Sequence, residues 1–105
     1  MMDSAAAPVD FDYLERFAAG DGALVREVYD LFLQQAEIWR SRLLTDGAGW
    51  RELVHTMKGA GRGVGAVALG DVCARAEDVG EAMLPQVRQA LEEAVAAIEA
   101  YQARA

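Results

Sequence analysis

Apolar residues along this chain recur at three- and four-residue intervals, and no segment alternates with the two-residue rhythm of a half-buried strand. Asp10 is a candidate N-cap for a short first helix over about 10–19, and Gly20 suits the position after its C-cap. Asp21 can cap a long second helix over about 21–44, with Leu24, Val28, Leu31, Phe32, Ile38 and Leu43 as its apolar stripe. Thr45-Asp46-Gly47 ends it. A third helix is predicted over about 48–62 and a fourth over about 67–79, the latter with Leu69, Val72, Cys73, Ala76 and Val79 on one face. Gly80 closes the fourth, and Pro85 fits the first turn of a last helix striped by Leu84, Val87, Leu91, Ala94, Val95, Ile98 and Tyr101. Four amphipathic helices on short turns bury their stripes only against one another. The expected fold is all-α: an antiparallel up-down-up-down four-helix bundle, one end covered by the short extra N-terminal helix.

Composition narrows the classes. A chain of 105 residues holds one domain and one core. The expected division is a flexible leader over 1–9 and a helical domain over 10–105. A net charge of −7 argues against nucleic acid or an anionic membrane as partner and favours a basic patch on another protein. No apolar run approaches a membrane span and the N-terminus does not read as a secretory signal. The single cysteine, Cys73, cannot pair within the chain, so a cytoplasmic monomer is expected, with Cys73 in the core. Trp39, Trp50 and the tyrosines read as packing residues, and Glu92-Glu93 as a solvated helix face.

One oddity survives this accounting. His55 and Lys58 are the only histidine and the only lysine, three residues apart in a chain whose other basic residues are arginines. At about 100° per residue, Arg51, Gly59 and Arg62 fall within roughly 40° of His55, and Lys58 about 60° to one side. Trp50, Leu53, Val54, Met57, Ala60 and Val64 lie on the opposite face, which the core must take. His55 is therefore expected in solvent. Glycine inside a helix costs about 1 kcal/mol relative to alanine. Gly59 falls on the exposed face, where no core contact calls for it; close approach by something docking beside the imidazole would. Gly61 falls on the apolar side, where it would allow close helix packing.

A neutral imidazole nitrogen is a good nucleophile toward phosphorus, and a nearby ammonium can offset phosphate charge. Such displacement needs positioning and charge stabilisation more than elaborate covalent machinery. The chain has no glycine-rich nucleotide loop and no second histidine for a metal site. It could carry a phosphoryl group but has nothing with which to bind ATP.

The stretch His55-Thr56-Met57-Lys58-Gly59-Ala60-Gly61, continued by Gly65-Ala66, Leu69, Cys73 and Glu77, resembles the signature of histidine-containing phosphotransfer (HPt) domains of multistep two-component signalling. Asp10-Phe11-Asp12-Tyr13-Leu14, Gly20-Asp21 and Leu24 to Tyr29 resemble the start of the same family, so the likeness spans most of the chain. The resemblance implies that His55 is phosphorylated at Nε2, in exchange with the aspartate of a response-regulator receiver domain or a hybrid histidine kinase. Lys58 would neutralise the phosphoryl group and Gly59 would give the receiver's loops clearance. Glu77 stands where many members hydrogen-bond the imidazole Nδ1, although with glutamine; a plain surface acid is the alternative reading. Arg51 and Arg62 could steer an acidic receiver or be solvated helix arginines. The resemblance implies no cofactor here, and the Mg2+ of such transfers would sit on the receiver. It makes the chain a phosphocarrier, not a kinase. The alternatives are the N-terminal phosphotransfer domain of a chemotaxis-type kinase, and a helical module that docks a receiver without accepting phosphate.

Overall fold

The computed structural model describes residues 7–45 and 47–104, and five α-helices account for most of them. They are α1 (Phe11–Phe17), α2 (Gly22–Thr45), α3 (Trp50–Gly63), α4 (Val67–Val79) and α5 (Leu84–Arg104). Single 3-10 turns precede α3 (Gly47–Gly49) and α5 (Glu81–Met83). The last four α-helices form the bundle, and no strand occurs among the described residues. Asp46 lies outside the described residues.

Local chemistry explains several boundaries. Asp21 Oδ1 accepts a hydrogen bond from the Leu24 N–H at 3.1 Å, the N-cap expected of it. Asp10 stands at the N-cap of α1, but its side chain makes no capping bond. Its backbone is held instead: the Asp10 N–H donates to the Gly65 carbonyl at 2.7 Å. Gly65 has φ +84°, and a Cβ there would fall 2.5 Å from the Asp10 carbonyl oxygen. Only glycine fits where the N-terminal segment meets the α3–α4 turn. Gly80, at φ +120°, ends α4 as expected.

The core runs through all the bundle helices, and Tyr29, Leu53, Met57, Leu69, Leu91 and Ile98 are among its fully buried side chains. Burying each large side chain of this kind contributes roughly 1.5–3 kcal/mol. Phe11 stacks on Tyr101, with centroids 4.2 Å apart, so α1 covers one end of the bundle against α5. The expected leader spans residues 1–9. Residues 1–6 lie outside the described residues, but Val9 is buried, drawn in by the backbone bond at Asp10.

The stripe assigned to the second helix is also corrected. The core takes Val25, Tyr29, Phe32, Ala36, Trp39 and Leu43. Leu24, Leu31 and Ile38 are exposed, and Val28 is half-buried. Apolar positions on α2 cover an arc of about 240°, at about 100° per residue, too wide for one interface. The half carrying the aromatic side chains faces inward. Val79 is likewise exposed, because it lies about 120° from Cys73 at the far edge of the α4 stripe.

Candidate functional site

The seam between α3 and α4 is close because of Gly61. A Cβ there would meet Leu69 Cδ2 at 3.3 Å, a tight contact that the bare position avoids. Gly61, Leu53, Val54 and Met57 are buried on the inner face of α3, and Leu69, Cys73 and Ala76 on that of α4. Burial and the nearby Glu77 carboxylate push the Cys73 thiol up to about 12, which makes it an inert core residue. One step around α4 from Cys73, Glu77 reaches the edge of the seam.

There its carboxylate divides between two partners. Glu77 Oε2 lies 2.8 Å from His55 Nδ1, and Glu77 Oε1 accepts a hydrogen bond from Lys58 Nζ at 2.5 Å. The lysine hydrogen bond, followed by the histidine bond, holds the Glu77 carboxyl below its usual range. It is therefore ionised at neutral pH and can only accept. Nδ1 must then carry the ring proton in the neutral imidazole, which leaves the Nε2 lone pair free. The His55 side chain is 69% exposed while Lys58 and Glu77 are 21% and 22% exposed. A half-buried ion pair thus supports an imidazole that faces solvent.

Arg51 is a backbone clamp. Its guanidinium donates to the Glu77 carbonyl at 2.7 Å and lies 4.6 Å from the Trp50 ring centroid. The carbonyls of a last helical turn lack intrahelical donors, and this one is satisfied from α3. Arg51 therefore fixes the main chain that carries Glu77. Arg62 shares the His55 face, and its stem packs on Gly70 of α4: a Cβ at Gly70 would lie 2.9 Å from Arg62 Cγ. Gly59 has open space around it, and a Cβ at that position would meet no neighbouring atom within 4 Å. Internal packing does not require that glycine.

The residues singled out from the sequence thus separate. His55, Lys58 and Glu77 form one bonded group, Arg51 supports it through the backbone, and Gly59 and Arg62 flank it on the same face. Sequence reasoning misses the other side of that face. Beyond Gly59, around α3, Ala60 and Gly63 meet Val28, Leu31 and Gln35 of α2 in an apolar groove of about 290 Å³. The available clue is the excessive width of the apolar arc on α2. His55 accordingly stands between a charged seam toward α4 and an apolar groove toward α2.

Comparison with known proteins identifies the family and the fold. The family model described as "Hpt domain" matches residues 27–101. Among solved structures, the chain is similar to the histidine phosphotransferase ShpA from Caulobacter crescentus, with a TM-score of 0.85 and 52% identity over 92% of each chain. Comparison with the curated proteins gives no match.

Proposed function

The chain belongs to the Hpt domain family, and from that premise we propose that it relays a phosphoryl group to or from the aspartate of a response-regulator receiver domain through His55. The observation that carries the reading is the shared Glu77 carboxylate, which occupies Nδ1 and leaves Nε2 exposed. In the accepting direction, the Nε2 lone pair attacks phosphorus of the receiver's aspartyl phosphate. A P–N bond forms, the P–O bond to the aspartyl group breaks, and the aspartate leaves as a carboxylate. The imidazole keeps its Nδ1 proton and becomes a phosphorylated imidazolium, whose positive charge faces Glu77. Reversal needs no proton transfer, so one geometry serves both directions.

Lys58 supplies a second charge. An ammonium has three donors, and one is engaged by Glu77. The remaining donors are suited to phosphoryl oxygens on the imidazole. Gly59 gives the incoming domain clearance, and the groove between α2 and α3 offers its apolar surface a seat beside the nucleophile. The exposed Leu24, Leu31 and Ile38 extend that seat along α2. The divalent cation of the reaction is assigned to the receiver.

The test is a transfer assay with a phosphorylated receiver. The wild-type chain should acquire acid-labile, base-stable label, and His55→Gln should acquire none. Label retained by that variant would remove His55 from the reaction. Receiver binding without any label on the wild type would instead favour a docking module.

A further inference from the structure

A second concavity lies away from His55, between α1, α2 and α5. It measures about 420 Å³, within the range of ordinary small-molecule sites. Glu15, Arg26, Tyr29, Asp30, Tyr101 and Gln102 line it, together with the bare backbone of Gly20 and Gly22. Tyr29 is completely buried, and its Oη has no hydrogen-bond partner among the described residues. Buried hydroxyls are nearly always satisfied, so an orphan against a cleft marks a place where something else supplies the bond. Its neighbours are already engaged: the Tyr101 hydroxyl donates to Glu15, and Gln102 Nε2 donates to Asp30 Oδ1 at 3.2 Å. Tyr29 is left over.

The surroundings decide the sign of the missing group. Two carboxylates, Glu15 and Asp30, face one guanidinium, Arg26. Burial, then the neighbouring Tyr101 phenol and the Glu15 and Asp10 carboxylates, push the Tyr29 phenol up to about 12. That environment disfavours a further anion and favours a donor carrying positive charge. Two of the lining side chains are aromatic, and Tyr29 meets Tyr101 edge-on at a centroid distance of 5.8 Å. Rings of this kind suit an apolar body and an adjacent ammonium.

We propose that this cleft binds a small organic cation, an ammonium on a compact apolar body, which faces Glu15 and Asp30 and donates to Tyr29 Oη once the side chains that seal that hydroxyl from solvent shift aside. None of the helices that line it carries His55, Lys58 or Glu77, so the proposal is independent of the phosphotransfer reading.

The experiment is an amide NMR titration of the full chain with phenethylamine, its anionic counterpart 3-phenylpropionate and its neutral counterpart 2-phenylethanol. Phenethylamine should shift the Gly20, Gly22 and Gln102 amides saturably and bind at least fivefold more tightly than either counterpart. Glu15→Gln and Tyr29→Phe should each weaken it at least fivefold. Absence of saturable shifts, 3-phenylpropionate binding as tightly as the amine, or unchanged affinity in Glu15→Gln would each overturn the proposal. If Tyr29→Phe does not fold, the charge comparison and Glu15→Gln still decide it.

Discussion

Glu92 and Glu77 each join two helices, and they do so to opposite ends. Glu92 of α5 receives the Arg40 fork from α2, Nε at 2.6 Å and Nη2 at 2.8 Å, while the third nitrogen of Arg40, Nη1, holds Glu37. Both carboxylate oxygens are matched by one rigid partner, and the bridge is closed. Glu77 of α4 divides its oxygens between His55 and Lys58. Each of those partners keeps unused capacity, a lone pair on one and donors on the other. Both carboxyls are held below their usual range, Glu77 chiefly by Lys58 and Glu92 chiefly by Arg40. A lowered carboxylate therefore does not separate a closed bridge from an open one. What separates them is whether the bonded partners have anything left to offer.

The largest effect should come from breaking the open bridge. Glu77→Ala removes the group that orients the imidazole, and transfer from a phosphorylated receiver should slow by roughly 10–100-fold, the scale for losing an orienting partner of a histidine. Glu92→Ala should leave the transfer rate unchanged. Equal loss in both variants, measured in the same assay, would erase the distinction.

A smaller effect belongs to the closed bridge. Arg40→Ala removes an ion-pair network at the α2–α5 seam, where the Arg40 and Glu92 side chains are 30% and 46% exposed. Solvent screens such pairs, so chemical denaturation should show a loss within about 1 kcal/mol and unaltered transfer. A loss of several kcal/mol would mean that the network organises the bundle.

The smallest expected difference is in acid. Both carboxyls have folded-state values lowered from 4.5, so their stabilisation is present above that value. It is lost as pH falls through the folded-state values below it. Denaturation midpoints should decline with acidification in that window, and Glu77→Gln and Glu92→Gln should each flatten the decline. A profile unaltered by both substitutions would show that neither bridge is linked to folding.

The same contrast shows what can be read from the sequence. The wheel of α3 places His55 in solvent, Met57 in the core and Gly61 at a helix contact, because one helix with one narrow apolar face leaves little freedom. The glycine at the end of the fourth helix marks its boundary correctly. The α2 stripe misleads because its apolar arc is wide enough for two interfaces, and only packing selects which half is buried. Glu92 reads as solvated because its partner, Arg40, lies 52 residues away and no local pattern announces it. The Arg51 bond to the Glu77 carbonyl is illegible for a similar reason: its acceptor is backbone, which every residue shares. Resemblance alone suggests Glu77 as a partner of the imidazole, whereas its simultaneous hold on Lys58 emerges only from the packed α3–α4 seam.

Whether Glu77 sets the His55 tautomer and leaves Nε2 to react is open to direct measurement. Nitrogen-15 NMR of the His55 ring reads this directly, in the neutral imidazole and again after phosphotransfer. The free chain should show a protonated Nδ1 and an unprotonated Nε2, with phosphate on Nε2 afterwards. A neutral ring protonated at Nε2, or phosphate found on Nδ1, would contradict that role for Glu77.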